Sequence, residues 1–380
     1  MLEVIFWCMV LSVVYPFVIY PYLVILQGTL RPCSVKRKEY VPTVTVLIAA
    51  YNEAACIEGT VKNKLEQDYP QEKLNIMVIS DGSDDGTDDI VNGIGSGRVK
   101  LIRQEPRSGK ASALNLGVKS GTGDILVFSD ANSIFAKDAI SRLVENFADP
   151  EIGYVTGKLT YTVQGSSVSG DGCDSYMKYE NWLRAIETKS GSIIGVNGGV
   201  DAIRSSLYVD IPQSQITDFV LPLSVIAQHY RVVYDQTANS YEEPNSELNE
   251  EFRMRVRVAL RALQGLIYMK RLINPIKYLS ASFRIISHKW LRYLTPVFMI
   301  VALITNAILA FTSTVYLLIL IMHVTLYILG ILGMLVELKG VVRKISYYST
   351  YFIVSNTAFL VALYKLLKGE KVATWKPRIG

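Results

Sequence analysis

The stretch Asp124-Ile125-Leu126-Val127-Phe128-Ser129-Asp130-Ala131-Asn132 joins an apolar run to two oxygen-bearing side chains one residue apart. A buried parallel strand has this composition, and α/β sheets place ligands at the carboxyl ends of such strands. Residues two apart lie on the same side of an extended chain, so Asp130 and Asn132 can turn their oxygens to one hard cation. A cation held there can carry the diphosphate of a nucleotide, which points to group transfer from a nucleotide.

Two further acidic turns end apolar runs. The first is Ala49-Ala50-Tyr51-Asn52-Glu53, and the second is Ser80-Asp81-Gly82-Ser83-Asp84-Asp85-Gly86-Thr87. Three such turns opening on one sheet edge make a nucleotide crevice. Asp81 can accept a hydrogen bond from a base or ribose, while Ser83 or Asp84 is expected to cap the next helix. Arg107-Ser108-Gly109-Lys110 can bring a cation to phosphate, although its Gly-Lys pair lacks the rest of a Walker A loop. Arg253, Arg257 and Arg261 follow four-residue spacing, which stacks them on one helical face where guanidinium groups can grip a diphosphate.

The elements that must position these groups show in the hydropathy pattern. Strands are expected at residues 43–49, 75–80, 99–103, 125–129 and 153–160, with helices at 53–67, 84–91, 110–119 and 175–189. The alternation predicts βαβ units and a parallel sheet covered on both faces. Residues 239–251 read as an acidic surface connection.

The 380 residues are half apolar, enough for several domains. Residues 4–26 form one run long enough to cross a bilayer; 296–336 carry no charge and leave room for two spans, and 347–363 offer one more. The first run lacks a basic n-region and a cleavage site, so it is expected to stay as an anchor. Arg31, Lys36, Arg37 and Lys38 follow it, placing the next domain in the cytoplasm by the positive-inside tendency. Residues 252–292 hold ten Lys or Arg and no Asp or Glu, a basic amphipathic segment suited to headgroups that Pro275 breaks into two helices. A lipid bilayer, not nucleic acid, is the partner this charge implies. Expected divisions are 1–30 for the first span, 31–251 for the cytoplasmic domain, 252–293 for interfacial helices, 294–366 for three spans and 367–380 for a basic tail. One span before the domain and three after it would put the tail across the membrane, yet Lys365, Lys368, Lys371, Lys376 and Arg378 favour the cytoplasmic side.

Cys8, Cys33, Cys56 and Cys173 have no metal-like spacing, and His229, His288 and His323 are too scattered for a zinc site.

In this order the motifs resemble the membrane-integrated, inverting family-2 glycosyltransferases, the group that includes hyaluronan, chitin and poly-N-acetylglucosamine synthases. The resemblance covers roughly residues 40–262 and rests on Val46-Leu47-Ile48-Ala49-Ala50-Tyr51-Asn52-Glu53, residues 78–87, Gly109-Lys110-Ala111-Ser112-Ala113-Leu114-Asn115, Phe128-Ser129-Asp130-Ala131-Asn132, residues 195–204 and Ile216-Thr217-Asp218-Phe219. It implies an α/β, Rossmann-like GT-A domain using a nucleotide sugar, commonly a UDP-sugar, with Mg2+ or Mn2+. Tyr51, Glu53 and Asp81 would hold the nucleoside, Lys110 would lie near the diphosphate, and Asp130 would bind the metal with Asn132 at the second acidic position. Asp218 would match the catalytic base, which takes the proton of an attacking hydroxyl. The acceptor would be a glycan or a lipid-linked sugar, for surface polysaccharide or glycolipid synthesis, and a homo-oligomer is left open.

Two departures stand out. Asn132 is neutral, although its carbonyl oxygen can still bind a cation. The Gln-x-x-Arg-Trp motif of processive synthases is missing from residues 252–262, where Arg257 alone could stand for its arginine. That shifts weight from polymer synthesis to adding one or a few sugars to a lipid-linked acceptor. It also leaves a second expectation, a catalytically degenerate partner that binds nucleotide sugar beside another synthase. A transporter is weaker, because the apolar stretches carry no charge.

Overall fold

The computed structural model describes residues 1–121, 123–161, 168–242, 248–335 and 340–370. The chain enters through α1 (Leu2–Val14) and α2 (Tyr20–Leu30), joined by a short π-turn into one long apolar rod. β1 (Val44–Ala50) follows, then α3 (Ile57–Leu65), β2 (Leu74–Ser80), α4 (Thr87–Gly93), β3 (Val99–Arg103), α5 (Lys110–Ser120) and β4 (Ile125–Asp130). Every residue of β1 is buried, and its side chains alternate between two cores. Leu47 and Ala49 pack on one face of the sheet; Val44, Val46, Ile48 and Ala50 pack on the other.

The second half departs from the expected parallel sheet. β5 (Ile134–Phe135), α6 (Ala139–Glu145), β6 (Ile152–Tyr161), α7 (Val168–Lys189), β7 (Val200–Arg204), α8 (Thr217–Ala227) and β8 (Arg231–Glu242) complete a mixed sheet in the order β3-β2-β1-β4-β7-β6-β8-β5. β1 through β4 pair in parallel, but β7 runs antiparallel to both β4 and β6. Its five residues follow a glycine-rich loop and include a buried Asp201, so no apolar run betrays it. β8 was read as connection from residue 239 onward; instead it pairs along β6 to Glu242. Its outward positions are polar, which hides the strand.

Register sets the site. Ala50 pairs with Ser80, and Ala49 pairs with Asp130, so the turns after β1, β2 and β4 leave the sheet at one level.

Below the domain, α9 (Leu248–Tyr268) ends before a 3-10 turn, and α10 (Pro275–Arg284) begins at the expected proline. The Asn274 side chain accepts from Ile276 N at 3.0 Å, capping α10. α11 (Leu291–Leu309), α12 (Thr314–Leu335) and α13 (Gly340–Leu367) follow. Among the described residues, four helical stretches are long and apolar enough to cross a membrane: Leu2–Leu30, Pro275–Leu309, Thr314–Leu335 and Ile345–Leu367. The end of α13 turns back to the domain. Ala362 is buried in the core that holds α8 and α9, Leu363 and Leu366 pack against it, and Gln264 Nε2 donates to the Glu370 carbonyl at 2.8 Å. Lys371, Lys376 and Arg378 lie outside the described residues, as do residues 243–247 of the expected connection.

Candidate active site

The turns after β1 and β2 are stitched together. Asn52, with φ of 54°, donates through Nδ2 to Asp84 Oδ1 at 2.7 Å and accepts from Asp84 N at 3.0 Å. The cap of α4 is neither Ser83 nor Asp84: Asp85 accepts from Thr87 N at 3.0 Å, while Ser83 Oγ accepts from Asn52 N. Ser83 and Asp84 are taken by the neighbouring turn, and Asp85 bridges both, its Oδ2 accepting from Ala54 N at 2.9 Å. The Glu53 carboxylate accepts from Cys56 Sγ at 3.2 Å, and burial together with that contact pushes the thiol up to about 12.

Asp81 is buried and shapes the loop before α5. It accepts from Gln104 Nε2 at 2.5 Å, Ser108 N at 2.8 Å and Gly109 N at 2.8 Å. The loop in turn lays the Arg107 guanidinium 3.4 Å above the Tyr51 ring. Tyr51 and Asp81 therefore share one wall, with Arg107 across its face.

At the start of α5 the Lys110 ammonium donates to Asp130 Oδ1 at 2.6 Å and stands 3.6 Å from Asp218 Oδ2. Burial opposes its charge, but Asp130 and then Asp218 outweigh that and hold the amine firmly protonated. Asp218 begins α8, where its Oδ1 meets the Thr217 hydroxyl at 3.1 Å. Both carboxylates remain about one-third exposed, at 38% and 32%. They face an open cleft rather than the core.

Glycine makes that closeness possible. Gly198 and Gly199 have φ of 75° and 74°, which side chains rarely adopt. A Cβ on Gly198 would lie 3.0 Å from Asp218 Oδ2; one on Gly199 would lie 3.0 Å from Glu242 Oε1, 3.1 Å from Ser133 Oγ and 3.5 Å from Asp130 Oδ2. The turn after Asp130 is pinned from beneath, with Thr60 Oγ1 donating to Ala131 O and Lys64 Nζ donating to Ser133 O, both at 2.6 Å. Asn132 lies half-buried on this turn.

Sequence reasoning missed Glu242, Ser133 and Asp201. Asp201 lies on β7 between Phe128 of β4 and Thr156 of β6, and neither of its oxygens has a hydrogen bond of good geometry. Burial first, then the Asp218 carboxylate, pushes its carboxyl up to about 7, and the Thr156 hydroxyl and Lys110 offset only part of this. Asp201 falls within the matched stretch 195–204, but between Val200 and Ala202 nothing in the sequence assigns its carboxyl a role.

Of the three arginines, Arg261 feels the Asp218 charge. It donates through Nη2 to Gln215 O at 3.2 Å, and burial lowers its pKa despite the nearby Asp218 charge, with Arg257 adding to the fall. Arg257 is half-buried one turn earlier, and Arg253 is exposed.

Among the described residues no group of three or more His, Cys, Asp or Glu is arranged to hold a metal ion. The donors that suit a hard cation are Asp130, whose Oδ2 faces the glycine cradle, and the Asn132 carbonyl. That set fits Mg2+ or Mn2+ when a diphosphate and water supply the other oxygens.

A mixed α/β sheet with these acidic turns is the architecture of the GT-A glycosyltransferases. Residues 45–184 of this chain match glycosyl transferase family 2. It is homologous to poly-beta-1,6-N-acetyl-D-glucosamine synthases. That of Staphylococcus aureus (strain COL) is 30% identical over 223 residues, which is 57% of this chain and 53% of the relative. That of Staphylococcus epidermidis is 24% identical over 363 residues, covering 89% of this chain and 87% of the relative. The chain spans about half the length of the S. aureus relatives it matches. Among solved structures, a mannosyltransferase from Pyrobaculum calidifontis in complex with GDP-Man and Mn2+ aligns with a TM-score of 0.74, 22% identity, and coverage of 97% of this chain and 100% of its own.

Proposed function

We propose that this chain is a membrane-bound transferase that moves a sugar from a nucleotide sugar, a UDP-sugar by our reading, to a hydroxyl of a glycan or lipid-linked acceptor, with inversion. The product belongs to a surface polysaccharide or glycolipid. The observation that carries this is Lys110 held between Asp130 and Asp218, one carboxylate from the sheet edge and one from a helix start. Two carboxylates and a cation facing one cleft suit a reaction in which a proton is removed and a diphosphate departs.

Asp218 is the base. The acceptor oxygen attacks the anomeric carbon as the bond to the donor phosphate breaks, and Asp218 takes the acceptor's proton. One displacement needs no enzyme nucleophile. Lys110 stays charged and offsets the charge growing on the diphosphate, with Arg257 and Arg261 on its other side. Tyr51, Glu53 and Asp81 form the nucleoside wall, and Arg107 must lift from Tyr51 for a base to stack there. Asp130 and Asn132 would hold Mg2+ or Mn2+, which supplies positive charge to the diphosphate when bound.

The four apolar helices sit in a bilayer, with the domain on its cytoplasmic face. The hydrogen bond from Gln264 to the Glu370 carbonyl supports a cytoplasmic tail, and with it one of the three apolar helices after the domain does not cross fully.

A second reading, a nucleotide-sugar-binding partner without turnover, draws support from the neutral Asn132. Purified protein in detergent, offered a panel of nucleotide sugars, decides between them. Release of nucleoside diphosphate from one donor, with a new glycosylated product by mass, supports the transferase. Donor binding without release supports the partner.

A further inference from the structure

Where α7 meets the start of α11, Lys289 and Arg184 meet at one glycine with Arg292 in their field. The Lys289 ammonium rests on bare backbone: a Cβ on Gly195 would lie 2.6 Å from Lys289 Nζ. Arg184 donates through Nε to the Gly195 carbonyl at 3.0 Å and through Nη1 to Asn181 Oδ1 at 2.8 Å. Arg292 is 5% exposed; its Nη1 is paired with Glu180, but its Nε and Nη2 meet no acceptor. Its guanidinium face lies 5.0 Å from the Phe17 ring centroid and 5.8 Å from that of Tyr179, so only the edges are free. The Trp290 indole N–H is also buried without an acceptor.

Among the described residues, two carboxylates, Glu180 and Glu187, face these three cations. Glu180 Oε1 is taken by Arg292, and its Oε2 lies 3.8 Å from His288. Glu187 Oε1 is taken by Tyr20 and by His288 Nδ1 at 2.9 Å, and its Oε2 meets no donor. Lys289 feels Glu180, Arg292, Arg184 and Glu187 only at longer range. Unpaired buried cations and orphan N–H groups are costly, and a fold keeps them where a counter-ion arrives in use.

The depth of the cluster identifies the source of that counter-ion. Lys289 and Arg292 flank the start of α11, within an apolar stretch able to cross a membrane, and Phe17 belongs to the first such stretch. Tyr179, Trp290 and Tyr293 surround them, the mixture of aromatic and basic side chains found at lipid headgroups. Gly195 lies three residues before Gly198, which touches Asp218, and three residues of chain reach at most about 11 Å. One loop therefore serves both groups, meeting Lys289 at Gly195 and Asp218 at Gly198.

We propose that Lys289, Arg292 and Arg184 bind the phosphate of a lipid-linked acceptor, leaving the hydroxyl of a sugar attached to it at Asp218. The proposal rests on the transferase reading and names the acceptor's class, a lipid phosphate or diphosphate.

The test uses the full chain in phosphatidylcholine nanodiscs doped with a polyprenyl phosphate or with the same polyprenol lacking phosphate, and measures retained lipid by native mass spectrometry. Wild type should prefer the phosphorylated lipid by about tenfold or more, and Lys289→Met should lose the preference while Lys289→Arg keeps most of it. Equal retention of the two lipids by wild type overturns the proposal, whether or not the variants reconstitute. A preference that survives in Lys289→Met overturns it too. Displacement of the lipid by millimolar inorganic phosphate would make this a site for a soluble anion, which also overturns it. A protein that turns over nucleotide sugar yet shows no lipid preference loses only this inference; one that holds lipid phosphate but never turns over donor loses the transferase reading instead.

Discussion

Lys110 Nζ stands 2.6 Å from Asp130 Oδ1, so the first residue of α5 is tied to the last residue of β4 across the mouth of the sheet. The same ammonium reaches Asp218 at 3.6 Å, and Asp201 lies in its field from below. One cation thus faces three carboxylates.

Removing that cation should be felt in the fold as well as in donor binding. Lys110→Met leaves Asp130 without its hydrogen bond and the carboxylates uncompensated. We expect a loss of about 1.5–3 kcal/mol in unfolding free energy, as for a hydrogen bond to a charged group, and weaker donor binding. Denaturant unfolding and donor titration in detergent check this; wild-type values for both would remove Lys110 from the account.

Gly198 tests geometry with a single methyl. An alanine there must adopt φ near 75° and place its Cβ 3.0 Å from Asp218 Oδ2. The left-handed backbone costs about 1–2 kcal/mol, and a displaced Asp218 is expected to lower turnover by up to about 10²-fold. Steady-state kinetics on folded Gly198→Ala should show a loss of kcat with donor KM little changed. A wild-type kcat would mean that Asp218 does not need its position.

Asp201 gives a pH signature. Its folded pKa, about 7, lies above the usual carboxylate value of about 3.9. Between those values the folded state holds a proton that the unfolded state has released, so stability falls as pH rises through the window and the penalty is complete above it. With EDTA present, Asp201→Asn should therefore gain more over wild type at pH 8 than at pH 5, read as apparent melting temperature. The same gap at both pH values, or a variant that is worse at pH 8, would show that Asp201 is ionised without cost.

How far the sequence reveals the site depends on how local each piece is. The turns bearing Tyr51, Asp81 and Asp130 follow uninterrupted apolar strands, so both their position and their common edge could be anticipated. Lys110 sits at a helix start three residues after Arg107, and its neighbourhood to phosphate chemistry was legible for the same reason. Its pairing with Asp130 and Asp218 was not, because it joins side chains 20 and 108 residues away. Asp201 and Glu242 stayed hidden, the first as a buried carboxyl in the short antiparallel β7 and the second at the polar end of β8. The mixed sheet followed from the same blindness: β7 and β8 are the strands with polar faces, and they carry the antiparallel pairing and the long partner of β6.

The metal expectation has its own check. Asp130→Ala removes the one carboxylate on the turn that also carries Asn132. Mn2+ binding in the presence of UDP, followed by electron paramagnetic resonance, should weaken about tenfold or more, equivalent to about 1.4 kcal/mol. Unchanged Mn2+ affinity would show that the cation, if bound, sits elsewhere.

The most direct test is the comparison of wild type with Asp218→Asn, using whichever nucleotide sugar the wild type consumes. The substitution removes the proton acceptor and almost no volume. Turnover is predicted to fall by about 10²–10⁴-fold while donor affinity stays within a few-fold of wild type. Turnover near the wild-type rate, or a loss of donor affinity as large as the loss of rate, would contradict the assignment of Asp218 as base.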